Sequence, residues 1–378
     1  MGHHLANALT VFGDVTFVAP RGAFVPRDLV RTYSLLEDVD AQPKKRSGQD
    51  GLVEDARVQR LFERLYAHAP FERLLLLHPF YYAVGGIDAC RRLGVPVSVY
   101  FHGFELRSQL LQGYPRDLVK LVQKRRISSL KERVFYTVGA ADEILVNSRY
   151  TESLVRPFGV VPPLRVTGCG VPLADFEREC DLTPAYDPEL KRRRRRALGL
   201  GAAPCAIFVG RLVPTKGVDQ LLRLCAATPA LQVLIVGTGP DERRLRLLAV
   251  ELGVADRVSF HGPTDEPTKW RLLRASDFLA LLSRPDDAGG QVEGFGIALL
   301  EGACAGAVPL SSGTGGMTDV IDHDVTGLIL GEADGGSSLS RLLEDPVHMT
   351  RLVATARLRI AERFTWPRVA ERIVGGWQ

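Results

Sequence analysis

Short apolar runs alternate with helix-length amphipathic stretches along almost the whole chain, the pattern of parallel strands joined by crossover helices. In the first half the runs predict strands at Val15 to Ala19, Leu74 to Leu77, Val95 to Phe101, Glu143 to Val146 and Leu164 to Val166. In the second half they predict strands at Ala206 to Val209, Gln232 to Val236, Val258 to Phe260, Phe278 to Leu282, Ala307 to Leu310 and Gly327 to Leu330. Between the two series, Asp181 to Pro204 carries three prolines and little apolar periodicity, so a hinge is expected at 181–204. That divides the chain into a first domain at 1–180, a second at 205–363 and a closing segment at 364–378. Arg21 to Gly51 is polar and reads as a long loop. Met1 to Leu9 reads as a helix directly ahead of the Val15 strand, where a doubly wound domain should open with a strand and a glycine turn. The expectation is an α/β chain of two Rossmann-like doubly wound sheets, the first lacking its opening strand, with the natural chain starting upstream or another segment filling the gap.

Length supports two domains, because 378 residues exceed one ordinary core. Hydrophobic residues at 46% and charged residues at 24% exclude a disordered chain. A net charge of +4 does not imply a nucleic-acid partner. The basic run Lys191 to Arg196 reads as a solvated helix leading into the second domain. Cys90, Cys169, Cys180, Cys205, Cys225 and Cys304 form no Cys-x-x-Cys pair and read as reduced thiols of a cytoplasmic protein. No apolar stretch reaches membrane-spanning length, so any membrane contact is expected to be peripheral.

The chemistry concentrates at two places. Gly210, Arg211, Lys216 and Gly217 stand where a strand should become a helix, and Glu293-Gly294-Phe295-Gly296 leads into an apolar helix that starts near Ile297 and carries Glu301. Two cations can neutralise a pyrophosphate, two carboxylates can accept hydrogen bonds from vicinal hydroxyls, and a helix start offers backbone N–H groups to the same anion. Together they outline a site for a sugar on a diphosphate. His102 follows the Val97 to Phe101 run, at the carboxyl edge of the first sheet, where ligands of such folds collect. The triplets Asp38-Val39-Asp40 and Asp322-His323-Asp324 read as turns rather than metal ligands, so no metal is expected.

These residues resemble glycosyltransferase family 4, whose members have the GT-B fold. The likeness covers the Gly210-Arg211 to Lys216-Gly217 turn, Val233 to Pro240, Val258 to Gly262, Glu293 to Glu301, Ser312 to Gly316 and Thr326 to Leu330, and more loosely Tyr100 to Gly103, Ile144 to Ser148 and Gly170-Val171. The resemblance implies two domains facing across a cleft, a closing helix that crosses back to the first domain, and a nucleoside-diphosphate sugar as donor. It implies that Arg211 and Lys216 contact the diphosphate, Glu301 the ribose, Glu293 the transferred sugar, and His102 the anomeric centre. Gly210, Gly239, Gly262, Gly294, Phe295, Gly296 and Ile297 complete the implied donor site. The implied reaction is a retaining, metal-independent transfer of a hexose-type sugar to an acceptor hydroxyl on a glycan, lipid or natural product, with no cofactor beyond the donor. Nucleotide-sugar epimerisation on the same fold, or nucleotide-sugar binding without turnover, are the alternatives.

Overall fold

The computed structural model describes residues 2–20, 33–38, 48–77, 79–80, 82–103, 106, 130–159, 162–285, 292–331 and 335–377. Its contacts divide the chain into two units, Met1–Gly168 with Val369–Gln378, and Cys169–Arg368.

In the first unit β1 (Thr16–Pro20) pairs in parallel with β2 (Ser34–Asp38). A second parallel sheet has the order β3 (Leu74–Leu76), β4 (Val97–Phe101), β5 (Glu143–Val146) and β6 (Leu164–Val166). Every residue of β4 and β5 is buried, which is why those runs read as mostly apolar, with Ser98 and Glu143 the exceptions: both faces of the sheet are covered. Val99, Phe101, Ile144, Val146, Val134 and Phe135 form the core with the helices Ala83–Leu93 and Leu130–Ala140. Among the described residues no ladder joins the two sheets. Gly2 sits between them instead, where a Cβ would lie 2.9 Å from Leu77 and 3.0 Å from Phe17. Strand β2 corrects the reading of Arg21 to Gly51 as a loop. Only its last residue, Asp38, is buried, so burial left no apolar alternation to detect.

The helix Trp366–Val374 leaves the second unit, and its residues from Val369 onward belong to the first. Arg165 receives it, donating to the carbonyls of Arg372 at 2.5 Å and Ile373 at 2.8 Å, a cation on the last carbonyls of a helix. Glu143 holds Arg165 in place at 2.6 Å and accepts the Trp377 indole N–H at 3.0 Å.

The second unit is one parallel sheet in the order β12-β11-β10-β7-β8-β9, with β7 at Cys205–Val209, β8 at Gln232–Val236, β9 at Val258–Gly262, β10 at Phe278–Leu281, β11 at Val308–Ser311 and β12 at Leu328–Ile329. The chain leaves β7 toward β8 and leaves β10 toward β11. Neighbours β7 and β10 therefore form the switch point, where the connections diverge and open a crevice at the carboxyl ends. Two backbone approaches shape it. Gly217, at φ 66°, passes so close to β10 that a Cβ would lie 1.7 Å from the Leu282 carbonyl oxygen, while Arg284 N–H donates to Thr215 at 2.9 Å. On the other side Gly237, at φ 126°, would put a Cβ 1.9 Å from the Gly210 oxygen. Only glycine fits either place.

The stretch 181–204, expected to be a hinge with a solvated basic helix, lies within the second unit. Asp187 caps the helix Pro188–Ala197 by accepting from Glu189 and Leu190 N–H. Lys191 and Arg195, four residues apart, turn inward and are buried, while Arg192, Arg193 and Arg196 stay exposed. Arg195 pairs with Asp277 at 2.6 Å, and the same carboxylate accepts Cys205 N–H at 2.8 Å. Lys191 donates to the carbonyls of Ser276 at 2.6 Å and Arg274 at 3.3 Å, capping the helix Glu266–Ala275. A helical period of buried charges replaces the apolar period that was sought.

Burial pushes the Lys191 ammonium down from 10.5 to about 7. The unfolded chain then binds a proton that the folded chain does not, so this group makes stability rise as pH rises from about 7 to 10.5. Urea midpoints measured across that window should climb more steeply in the wild type than in Lys191→Met; parallel pH profiles would disprove the assignment. Gly217→Ala should lower stability by more than about 1 kcal/mol, since the new carbon meets a carbonyl as well as a strained φ. Gly94→Ala, at φ 70° and ψ 22° with nothing within 4 Å, serves as the control that carries the left-handed backbone cost alone. Equal losses for the two would show that the Leu282 contact is not needed.

Candidate functional site

The crevice end of the second sheet gathers most of the residues named from sequence. The helix Ile297–Cys304 begins there, with Gly296 as its N-cap at φ 95° and no side chain to cap the first turn. Leu299 N–H turns back to the Gly296 carbonyl at 3.0 Å; the N–H groups ahead of it have no carbonyl partner within the helix, as at any helix start, and suit a ligand or solvent. Phe295 is buried and packs edge-on against Phe364 at 5.6 Å, anchoring the entry to the helix. The Ser312 to Gly316 turn clamps the segment before it. Gly316 N–H donates to the Glu293 carbonyl at 2.8 Å, and a Cβ at Gly315 would lie 2.3 Å from the same oxygen. Ser312 and Thr314 hydroxyls both donate to the Ser283 carbonyl, at 2.5 and 2.6 Å, tying the turn to the end of β10.

Lys216 crosses the switch point to Glu293, with Nζ 2.5 Å from Oε2. Both side chains keep some exposure, at 24% and 16%, so a ligand can reach the pair. Arg211, one residue beyond Gly210, is exposed. Glu301 lies one turn into the helix and its partner is Lys269, at 3.0 Å; the same ammonium reaches Glu266 at 2.7 Å. Burial holds the Glu301 carboxyl above its usual range, with Lys269 working against it. Burial acts against the charge on Lys269 too, but Glu301 and Glu266 outweigh it and hold that ammonium above its ordinary value. The result is a buried-edge cluster of one cation shared by two carboxylates.

Gly239 lies beneath the Leu212 carbonyl, where a Cβ would come within 2.1 Å, and Gly262, at φ 79°, has open space beside it. Backbone bonds stitch these loops together: Gly210 N–H to Val236 at 3.0 Å, Leu212 N–H to Thr238 at 2.9 Å, and Gly237 N–H to Gly262 at 2.8 Å. Gly210, Gly239 and Gly262 thus belong to one rim. Lys269 was not visible in the sequence. Its contact with Glu301 spans 32 positions and depends on the packing of the helix Glu266–Ala275 against Ile297–Cys304, for which no short motif stands.

His102 belongs to the first unit. It follows β4, its ring lies 4.7 Å from that of Tyr100, and Nε2 is 2.8 Å from the Leu77 carbonyl oxygen, which requires a proton on Nε2. Asn147 donates to the His102 carbonyl at 2.9 Å and keeps the strand end in place. The triplet at 322–324 has structural partners: Asp322 pairs with Arg359, and His323 Nδ1 accepts Ile329 N–H at 3.0 Å. Asp38, at the end of β2, pairs with Arg57 at 2.7 Å; Val39 and Asp40 lie outside the described residues.

Comparison with known proteins shows the family and the fold. The profile of the family described as "Glycosyltransferase Family 4" matches residues 3–175, and that of "Glycosyl transferases group 1" matches residues 191–359. The chain is 33% identical over 281 residues to a GDP-mannose-dependent monoacylated alpha-(1-6)-phosphatidylinositol monomannoside mannosyltransferase of Corynebacterium glutamicum, covering 72% of this chain and 67% of that protein. It is 32% identical over 248 residues to the GDP-mannose-dependent alpha-(1-6)-phosphatidylinositol monomannoside mannosyltransferase of Mycobacterium tuberculosis, covering 61% of this chain and 60% of that relative. The match thus spans about 60% of that relative's length. Among solved structures, sucrose-phosphate synthase from Thermosynechococcus elongatus shares the fold at a TM-score of 0.73 and 20% identity, covering 99% of this chain and 90% of that one. Anabaena HepE in complex with UDP and glucose does so at 0.65 and 18%, covering 85% and 80%. With both profiles and these relatives matching, the chain belongs to glycosyltransferase family 4, of the GT-B type.

Proposed function

We propose that this chain is a retaining, metal-independent glycosyltransferase that moves a mannosyl residue from GDP-mannose to a hydroxyl of an inositol-bearing acceptor. The observation that carries the reading is the Lys216–Glu293 pair beside an uncapped helix start at the switch point. A donor diphosphate offers Lys216 a denser negative charge than one carboxylate does. Its arrival draws Lys216 onto phosphate oxygen and leaves Glu293 to accept from the sugar hydroxyls. Arg211 and the first N–H groups of Ile297–Cys304 add to the neutralisation as the anomeric bond stretches and charge builds on the leaving group. The acceptor hydroxyl attacks from the face the diphosphate leaves, and a phosphate oxygen takes its proton, so no protein nucleophile is needed. Glu301, one turn further along, accepts from the ribose hydroxyls with Lys269 holding it in place.

The donor and acceptor classes come from the relatives. The mannosyltransferases are GDP-mannose-dependent, and others among the relatives are D-inositol 3-phosphate glycosyltransferases, such as that of Thermobispora bispora, 29% identical over 323 residues. A guanine presents an amino group that a carboxylate can accept from, and this reading assigns that role to the exposed Glu266, held by the same Lys269 as Glu301. The transferase names of these relatives favour transfer over epimerisation and over binding without turnover.

Turnover of GDP-mannose with an inositol-bearing acceptor should persist in EDTA and fall about 100-fold or more in Lys216→Ala, chiefly in kcat. Glu301→Ala should instead raise the donor KM more than it lowers kcat. Activity abolished by EDTA, or a Lys216→Ala enzyme as fast as the wild type, would refute the mechanism. In a thermal-shift panel of GDP-, UDP-, ADP- and dTDP-sugars, GDP-mannose should raise the midpoint most, and Glu266→Ala should narrow its lead over the UDP-sugars. A panel led by a UDP-sugar would overturn the donor assignment.

A further inference from the structure

The chain crosses from β7 to β8 through the helix Val218–Ala227 and from β10 to β11 through Ile297–Cys304, in opposite directions along the sheet. Right-handed crossovers therefore place these two helices on opposite faces. On the Val218–Ala227 face, where the helix Gly335–Leu343 packs beside it, lies a cavity of about 560 Å³. Among the described residues, none of Arg211, Lys216, Glu293 and Glu301 lines it. Leu224 and Leu282, both buried, give it an apolar wall, and Asp219, Arg223 and Arg284 give it charge. Asp219 is only 5% exposed; its Oδ2 accepts from Arg284 at 2.8 Å, while Oδ1 has no hydrogen-bond partner among the described residues. A buried carboxylate oxygen left unspent is costly, and it calls for a donor. Arg223, four residues after Asp219 and so on the same helix face, is exposed, and the Arg284 side chain is 41% exposed. Two guanidiniums against one carboxylate leave the cavity with an excess of positive charge. Gly335 and Gly336 open the neighbouring helix at its edge, held so near that a Cβ at Gly336 would lie 2.8 Å from the Ala227 Cβ.

We propose that this cavity is a second ligand site, separate from the donor site, that binds a phosphate monoester of a polyol. Arg223 and Arg284 hold the phosphate, since a guanidinium fork matches its oxygens and the excess charge favours an anion. Asp219 Oδ1 accepts from a hydroxyl of the carbon skeleton, which supplies the donor that the protein does not. The volume fits such a ligand, being ample for a small organic molecule and wasteful for a bare phosphate. The first N–H groups of Gly335–Leu343 add to the anion's neutralisation. Position gives the site a bearing on the joint between β7 and β10. Asp219 stands two residues after Gly217, and Arg284 stands two after Leu282 and donates its own N–H to the Thr215 carbonyl at 2.9 Å. A ligand held by Asp219 and Arg284 thus grips both sides of the Gly217–Leu282 approach.

Titration calorimetry on the full-length protein tests this without reference to the donor reading, with glucose 6-phosphate as the probe because it joins one phosphate to several hydroxyls. The wild type should bind glucose 6-phosphate about 10-fold or more tightly than inorganic phosphate, which brings no hydroxyl-bearing skeleton. Arg223→Gln, a change at an exposed side chain, should weaken glucose 6-phosphate binding about 10-fold or more, the loss of one charge-assisted hydrogen bond. Lys216→Ala should bind it as the wild type does, which separates this cavity from the donor crevice. Absence of binding, equal affinity for inorganic phosphate, an undiminished affinity in Arg223→Gln, or a loss in Lys216→Ala would overturn the proposal.

Discussion

The passage of Gly217 against the Leu282 carbonyl is the constraint on which the candidate site rests. Strands β7 and β10 are neighbours whose connections run apart, so their loops would separate unless something held them. A backbone approach too close for any side chain does so. It sets Lys216 within ion-pair distance of Glu293, residues 77 positions apart, and with the Ser312 to Gly316 clamp it leaves the start of the Ile297 helix beside that pair.

Around this joint the second unit trades apolar burial for buried charge. Asp277 is nearly inaccessible, yet it satisfies Arg195 and the Cys205 N–H together, and Tyr186 donates to its other oxygen at 2.9 Å. Breaking one member of such a set strands a charge in the interior, at a cost of about 3–5 kcal/mol. Glu179, fully buried, takes both arms of the Arg274 guanidinium at 2.6 and 2.8 Å. These pairs tie the segment 173–197 to the sheet that bears the candidate site, which explains why it packs as part of that unit rather than as a free connection.

The charges at the site divide into two kinds. Lys216 and Glu293 pair where a ligand can reach both side chains. Lys269 with Glu266 and Glu301 is a shared cluster, where one ammonium orients two carboxylates without neutralising either completely. The first suits a group that must respond to a leaving charge, the second a group that must hold a rigid hydroxyl-bearing ring.

The parallel-strand pattern was legible in the chain by itself, because strands covered on both faces are mostly apolar, as in β4, β5 and β8, where only Ser98, Glu143 and Gln232 interrupt the run. So was the pairing of glycine turns with Arg211, Lys216, Glu293 and Glu301, since glycine at 217 and 296 answers local backbone demands and the charges lie within a few residues of them. Strand β2 escaped because it is mostly uncovered, and the inward face of Lys191 and Arg195 escaped because a period of charges looks like a solvated helix until its partners are known. Lys269 joining Glu301 and Arg195 joining Asp277 were decided only by tertiary structure. A long-range ion pair is set by how helices pack, and no local spacing along the chain records that.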